Sequence, residues 1–176
     1  AVSFFEKMGF EVFHRGAYMS RDLTLTESFA LPENLRIREL QVEYLDQLLW
    51  VRRESFRELG PWYSVTDEEQ FKEGMRNRIG RDNVKVFVAI TDNQVIGYVV
   101  CSIREKNKMN GDVRVISVLP DYRNRGVGTA LMARSFDFLR KNKVQTVSTV
   151  TETAEGFYEK VGFKVDARFV RVRKWL

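Results

Sequence analysis

The spacing of apolar residues predicts strands and helices that follow one another along most of the chain. Residues 35–40 alternate loosely between apolar and polar, as in a β-strand, and residues 42–56 then show helical spacing that ends at Gly60-Pro61. A second helix is predicted to begin with the capping box Thr66-Asp-Glu-Glu69 and to stop at Gly80. The first third of this region therefore predicts one strand followed by two helices.

Strand-like alternation returns in the next segment and continues to the end of the chain. A β-hairpin is predicted where two apolar alternating runs flank the turn Asp92-Asn93. This order of elements predicts an α/β (α+β) fold with a mixed sheet flanked by helices. The predicted elements after Gly80 are strands 84–90, 95–103 and 112–119, a helix 126–141, a strand 144–150, a short helix 153–161 and two last strands, around Phe163 and over 169–172.

Composition limits the class of protein. The 176 residues fit one domain with an appendage, and 44% of them are hydrophobic, which is enough for a buried core. Cys101 is the single cysteine, which excludes an internal disulfide, and with a single histidine the sequence predicts no metal site. No apolar run reaches the roughly 20 residues of a membrane span, and we expect a cytoplasmic protein.

The net charge of +5 suits several anionic partners. Nucleic acid, an anionic membrane face and an anionic cofactor would each be attracted to such a surface. The basic runs are short and scattered, without the interleaved aromatic residues that stack on bases. Charge alone therefore leaves a nucleic-acid binder as an alternative, but we predict neither nucleic acid nor a membrane as the partner.

The first 23 residues repeat the last 23. Residues 1–23 align without gaps on residues 154–176, nine of the 23 pairs are identical, and the offset is 154 − 1 = 153 residues. We interpret 1–23 as the end of a preceding similar domain, 24–34 as a linker and 35–176 as a complete domain. Residues 1–23 should form a helix and a hairpin, which must pack on 35–176, on a missing repeat or on a second chain as a homodimer.

One turn carries the clearest chemical signal. Arg123-Asn-Arg-Gly126-Val-Gly128 connects a predicted strand to a predicted helix. Main-chain amides at such a turn, together with the helix dipole, form a site for an anionic group. The third glycine of a dinucleotide fingerprint is absent, because Leu131 stands there, and the Gly-Lys-Ser/Thr of a P-loop is absent as well.

These residues resemble the R/Q-x-x-G-x-G/A motif of the GNAT superfamily of N-acetyltransferases. The segment 116–123 resembles that family's fourth strand, 154–163 resembles its late helix and following strand, and the resemblance covers 35–176. It implies a mostly antiparallel mixed sheet and direct transfer of an acetyl group from acetyl-CoA to a primary amine. The cofactor-binding residues that it implies are Val118, Arg123, Asn124, Arg125, Gly126, Val127, Gly128, Thr129 and Thr151.

The resemblance also implies catalytic residues. Tyr158 matches the tyrosine that protonates the departing thiolate, whereas the repeat has Phe5 at that position. A tyrosine packed in the core is the alternative for Tyr158. Asp112 lies near the position of the family's general base, although it could instead be a turn residue. In that case Glu152 or a chain of water molecules could act as the base. Acceptor specificity is expected from residues 59–64.

Three other functions remain open at this stage. The same fold could move a longer acyl chain, or it could acetylate a protein N-terminus or a lysine. It could also bind coenzyme A as a regulatory or interaction domain without catalysis. Thiol release in the presence of amines separates the catalytic alternatives from the regulatory one.

Overall fold

A single sheet of seven strands organises the chain, and helices cover both of its faces. A computed structural model describes residues 2–30, 32–57 and 67–174. In chain order the elements are α1 (Val2–Lys7), β1 (Glu11–Asp22), β2 (Arg36–Glu39), α2 (Leu45–Phe56), α3 (Glu68–Arg76), β3 (Val84–Thr91), β4 (Gln94–Ile103), β5 (Asn110–Val118), α4 (Val127–Lys141), β6 (Thr146–Thr151), α5 (Glu155–Lys160) and β7 (Lys164–Arg173).

The sheet has the order β2-β3-β4-β5-β6-β1-β7. Every neighbouring pair is antiparallel except β5 and β6, which run parallel. The predicted fold class, a mixed and mostly antiparallel sheet flanked by helices, is confirmed. The parallel pair matters most, because its two strands stay together over only three residue pairs, from Asn110–Thr146 to Asp112–Ser148.

The two faces of the sheet are covered by different helices. A Cβ added to Gly97 in β4 would lie 3.3 Å from Leu131 of α4, so position 97 faces that helix. The next residue, Tyr98, faces the opposite side. There the charge of Arg52 in α2 opposes the rise that burial causes in the pKa of the Tyr98 hydroxyl. Alternation along the strand therefore separates an α4 face from an α2/α3 face. Both faces are apolar, and β4 is buried along almost its whole length.

Three predicted details of the helices and strands are corrected. Helix α3 is capped by Asp67, whose carboxylate accepts the Gln70 amide at 2.9 Å, and Thr66 lies outside the described residues. That helix ends at Arg76 rather than Gly80, because the backbone turns at residues 77–80. The two predicted last strands are one strand, β7. The predicted stop at Gly60-Pro61 and the predicted acceptor loop 59–64 lie outside the described residues.

The N-terminal segment is part of the sheet. Residues 11–22 form a single long strand rather than the predicted hairpin, since β6 and β7 already supply a partner on each side. The prediction that this segment packs on the remainder of the chain is confirmed for β1, whereas α1 has no buried residue. Arg21 secures this strand: its side chain is 4% exposed, donates to the Val161 carbonyl and pairs with Glu27 at 3.1 Å.

The sequence repeat is also a structural repeat. Helices α1 and α5 are each followed, two residues after their last residue, by a glycine with positive φ. The angle is 79° at Gly9 and 83° at Gly162. The amide of Phe10 donates to Phe5 at 2.9 Å, and the amide of Phe163 donates to Tyr158 at 3.0 Å in the same way. Each helix thus reaches its following strand through the same left-handed closing turn.

None of the helices in the described part of the chain is long and apolar enough to cross a membrane. The location of the protein in the cell stays a prediction from the sequence.

Candidate active site

The turn between β5 and α4 combines left-handed backbone conformations with a run of unbonded main-chain amides among the described residues. Asn124 and Gly126 both have positive φ, 60° and 80°, and α4 begins directly afterwards without a side-chain cap. Within the described residues, no acceptor is bonded to the amides of residues 124–129. Amides that converge at the start of a 15-residue helix form an anion site. Gly126 thus adopts a left-handed backbone conformation that favours glycine.

A cavity of about 750 Å³ opens next to this turn. One wall is the end of β5, the floor is the start of α4, and the other wall is α5. Among the described residues, two cations line it, Arg123 and Lys160, and no carboxylate does. The cavity therefore combines apolar walls, free amides and positive charge, which suits a long ligand with an anionic group. Its lining residues are Ile116, Val118, Arg123, Asn124, Gly126, Gly128, Thr129, Thr153, Ala154, Gly156, Phe157 and Lys160.

Gly128, an expected cofactor-binding residue, also has a packing role. A Cβ at this position would lie 2.9 Å from the ring of Phe157, which is closer than real Cβ contacts allow. Phe157 belongs to α5 and lines the cavity. The absence of a side chain at Gly128 therefore lets α4 and α5 approach each other at the cavity.

The cavity exists because β5 and β6 separate. Their parallel pairing ends at Asp112–Ser148, and the buried Thr149 hydroxyl donates to the Val113 carbonyl at 3.0 Å just beyond that point. On its other side, β6 pairs with β1 along its whole length. The edge of β5 that faces β6 is consequently open near Ile116 and Val118, where an extended ligand can lie against main-chain groups.

Tyr158 lies beside this point of separation rather than in the cavity lining. Its side chain is 4% exposed and packs against the rings of Phe157 and Phe163, both at 5.3 Å between centroids. Burial raises the pKa of Tyr158, and the neighbouring Thr149 hydroxyl opposes that rise. The hydroxyl is therefore protonated at neutral pH, as a general acid must be. The catalytic role of Tyr158 stays a prediction.

The two predicted bases are engaged in ion pairs. Arg104 binds Asp112 with Nε 3.0 Å from both carboxylate oxygens, and Asp112 raises the pKa of Arg104. Glu152 contacts His14 at 3.2 Å and Arg171 at 3.0 Å. Asp112 lines a second cavity, on the α2/α3 face, instead of the cavity at α4. Its role as the base also stays a prediction.

Three predicted cofactor contacts have other neighbours in the fold. The hydroxyl of Thr151 accepts the Ala154 amide at 2.9 Å and so holds the start of α5. The guanidinium of Arg125 lies 5.9 Å from the ring centroid of Tyr122. The side chain of Val127 is buried in the core, so that this residue offers the ligand only its main chain. None of the three lines the cavity.

Arg123 joins the site to α2. Its Nε donates to the Val118 carbonyl at 3.2 Å, and Nη2 donates to the Ser55 carbonyl at 2.9 Å. The sequence singled out Arg123 for its charge but gave no sign of these bonds. It also missed Lys160 and Phe157 as lining residues, although the repeat, in which Lys7 and Phe4 stand at these positions, could have pointed to them.

Comparisons with known proteins agree with this architecture. Residues 82–165 match a model described as "Acetyltransferase (GNAT) domain". An uncharacterized N-acetyltransferase from Archaeoglobus fulgidus is 31% identical over 115 residues, which cover 62% of this chain and 77% of that protein.

Solved structures share the fold at low identity. A GCN5-related N-acetyltransferase from Sphaerobacter thermophilus has a TM-score of 0.80 at 17% identity, and the match covers 98% of this chain but 55% of that one. The chain thus spans about half the length of that protein. An N-acetyltransferase from Thermoplasma acidophilum in complex with coenzyme A has a TM-score of 0.58 at 20% identity, covering 80% of this chain and 99% of that one. The chain belongs to the GNAT family of acetyltransferases.

Proposed function

We propose that this protein is an acetyl-CoA-dependent N-acetyltransferase that acts on a primary amine. The observation that carries the proposal is the set of amides at residues 124–129, which have no acceptor in the described part of the chain. They border a cavity that the described residues line with two cations and no carboxylate. A diphosphate fits such a cradle, because charge-assisted bonds from several amides hold it without a dedicated side chain. The Thermoplasma acidophilum relative of the same fold binds coenzyme A.

The residues that would hold acetyl-CoA follow from this geometry. The amides from Asn124 to Thr129 would bind the diphosphate, with Arg123 and Lys160 adding positive charge. Ile116, Val118 and Phe157 would contact the extended arm along the open edge of β5. When bound, acetyl-CoA supplies the acetyl group as a thioester.

The chain's contribution to the chemistry is positioning and proton transfer. The amine nitrogen bonds to the thioester carbonyl carbon, the carbon–sulfur bond breaks, and the amine loses a proton. Holding both substrates side by side removes most of the entropic barrier, which can amount to about 7–11 kcal/mol. Tyr158 would give its proton to the departing thiolate, and Asp112 would accept the proton of the amine.

Release of free thiol from acetyl-CoA tests the proposal. Incubation with a panel of primary amines should release thiol and give products heavier by one acetyl group. Binding of coenzyme A without thiol release with any amine, protein N-terminus or lysine peptide would instead favour a regulatory domain. No binding of coenzyme A would contradict both.

We also propose that residues 2–23 are the end of a second GNAT-like unit. The support is structural. Helix α1 repeats helix α5, including the glycine turn that follows it, but among the described residues no other helix packs on the aromatic face of α1 as α4 packs on α5. Phe4 is 62% exposed, whereas its counterpart Phe157 contacts α4. A second copy of this chain cannot cover α1 in the same way, because its own α5 occupies the equivalent surface.

The preceding coding sequence tests this second proposal directly. It should encode a GNAT-like unit, and in the longer polypeptide the amides of α1 should exchange at least about 10-fold more slowly than in the 176-residue chain. Coding sequence without such a unit, or equal exchange rates in both polypeptides, would contradict it.

A further inference from the structure

A second cavity, of about 640 Å³, lies on the α2/α3 face of the sheet. It is formed by the turn after α3, the start of β3, the end of β4 and the start of β5. Five cations and two carboxylates line it, so that its net charge is 5 − 2 = +3. These charged residues are Arg78, Arg81, Arg104, Lys106, Arg114, Glu105 and Asp112.

Four of these cations, Lys106 and three arginines, have no compensating carboxylate among the described residues. Asp112 is bound by Arg104, and Glu105 lies 3.4 Å from the amide nitrogen of Asn83. Within the described ranges, Arg78, Arg81 and Arg114 form no ion pair. Burial lowers the pKa of Arg78, and the charges of Arg114 and Arg81 lower it further. Arg78 is therefore repelled by two other guanidiniums that line the same cavity, and a bound anion would reduce this repulsion.

An irregularity in β5 sets the direction of Arg114. Val115 pairs with Val100 and Val113 pairs with Cys101, so Arg114 is one extra residue in this strand, a β-bulge. Bulges redirect a side chain and are frequent beside active sites. The Nε of Arg114 donates to the hydroxyl of Ser102 at 3.1 Å, and Ser102 is buried. This hydrogen bond holds the exposed Arg114 side chain at the cavity.

The same strand serves both cavities. Ile116, which lines the cofactor cavity, follows Arg114 by two residues, or about 7 Å along a strand. On the α2/α3 face near this point, the hydroxyls of Tyr98 and Ser117 are buried, are opposite each other in the ladder and have no well-formed hydrogen bond. The α2/α3 face of β5 is thus polar and cationic at this point, and coenzyme A would occupy the opposite, α4 face.

We propose that this second cavity binds an anionic group of the acceptor, so that the preferred substrates are amines that also carry a carboxylate or a phosphate. The inference rests on the N-acetyltransferase activity proposed above. Arg114 and Arg81 bind the anion, and Arg78 adds charge from the side. Paired guanidinium N–H groups match the two oxygens of a carboxylate or of a phosphate. Asp112 lies in the same cavity, where it can contact the amine.

Matched amines test the substrate class. Acetylation of butylamine is compared with that of 4-aminobutyrate, and acetylation of ethanolamine with that of phosphoethanolamine, at saturating acetyl-CoA. We expect kcat/KM to be about 10-fold higher for the anionic member of at least one pair, mainly through KM. The pair with the larger ratio distinguishes a carboxylate from a phosphate. Equal values within both pairs would overturn the inference and leave the proposed acetyltransferase activity in place.

Variants assign the preference to the cavity. Arg114→Gln and Arg81→Gln should each reduce the ratio between anionic and neutral amine to about one, by raising KM for the anionic amine about 10-fold. Arg76→Gln, an exposed arginine in the last turn of α3 outside the cavity, should leave the ratio unchanged. A ratio that falls equally in all three variants would reflect net charge and would contradict the assignment.

A binding measurement separates the inference from the activity. Inorganic phosphate should raise the melting temperature of the wild-type chain and of Gly128→Asp, in which the cofactor cavity is blocked, but should have less effect on Arg114→Gln. If no amine is acetylated and this pattern holds, the anion site stands while the proposed function fails. If phosphate stabilises all three chains equally, the second cavity is not the anion site.

Discussion

Gly16 and Phe169 pair directly across the β1–β7 ladder, and they are also equivalent positions of the internal repeat, because 169 − 16 = 153. The pairs on either side are exchanged by the repeat. Glu11 lies opposite Arg173 and Ser20 lies opposite Lys164, and positions 164 and 173 are the repeat equivalents of positions 11 and 20. The two repeats therefore meet around a local two-fold axis near the Gly16–Phe169 pair.

A side chain at Gly16 should destabilise the fold. A Cβ there would lie 2.5 Å from Cζ of Phe169 and 2.7 Å from the Thr151 carbonyl oxygen. Gly16→Ala should therefore lower the free energy of unfolding by about 1–3 kcal/mol, the usual effect of overpacking. Urea unfolding followed by circular dichroism measures this change.

Gly156→Ala is the matched control for Gly16→Ala. A Cβ at Gly156 would meet nothing within 4 Å, and alanine favours the helix α5 in which it lies. The control should be neutral or slightly stabilising. Equal unfolding midpoints for the two variants would show that the close packing at Gly16 and Phe169 does not contribute to stability.

The sequence predicted the parts of the site that are formed by the backbone better than the parts that depend on contacts between distant side chains. The pattern Arg123-x-x-Gly126-x-Gly128 is local, and its left-handed turn and free amides follow from the order of residues alone. The fold class also followed, since the apolar alternation of the strands is strong. Ion pairs between distant elements could not be predicted, because no local pattern places Arg104 on Asp112 or Arg171 on Glu152.

The N-terminal segment shows why strand partners and buried charges were harder to predict from the sequence. Its repeat predicted the helix and the glycine turn, but the partners of β1 depend on where β5 and β6 separate. Arg21 reads as a surface cation in sequence and lies buried over the ring of Phe136 at 4.6 Å. The bulge at Arg114 had no sequence signal either, because valines flank it on both sides as in a regular strand.

An acidic side chain at Gly128 should abolish binding of coenzyme A. Gly128→Asp places a negative charge among the free amides at the start of α4 and crowds the Phe157 ring. We expect affinity to fall at least about 100-fold, since a like charge meets the diphosphate at close range. Calorimetric titration with coenzyme A measures this loss.

Gln94→Glu controls for the change in net charge in that experiment. Gln94 is exposed at the start of β4, and the substitution adds a negative charge away from the cavity. This variant should bind coenzyme A as the wild type does. Unchanged affinity in Gly128→Asp would contradict the phosphate cradle.

The thiol of Cys101 should be unreactive in the folded chain and should make stability depend on alkaline pH. Its burial raises the pKa from 9.0 to about 12. Above pH 9 the unfolded thiol loses its proton while the folded thiol keeps it, so unfolding is favoured as pH rises from 9 towards 12. At pH 10 this amounts to about 1 kcal/mol.

Two measurements check the prediction for Cys101. An aromatic disulfide reagent should label the thiol at pH 8 only after urea is added. The loss of stability between pH 8 and pH 10 should be smaller in Cys101→Ala than in the wild type. Rapid labelling of the native chain would show that this part of β4 opens readily, against its burial.

Tyr158→Phe should lower turnover without lowering cofactor affinity. The substitution keeps the ring between Phe157 and Phe163 and removes the hydroxyl that would protonate the thiolate, so kcat should fall roughly 100-fold. Because burial raises the pKa of Tyr158 above its ordinary 10.0, the wild-type hydroxyl stays protonated between pH 7 and pH 9. The wild-type rate should therefore not decline between pH 7 and pH 9 through loss of this proton.

Phe5→Tyr provides the matched comparison, because Phe5 is the counterpart of Tyr158 in the repeat and lies outside the cavity. It should leave kcat unchanged. Turnover in Tyr158→Phe equal to that of the wild type would restrict Tyr158 to core packing, since the buried ring alone would then account for its position. An equal loss of coenzyme A affinity and of kcat would point to a displaced α5 instead of a missing proton donor.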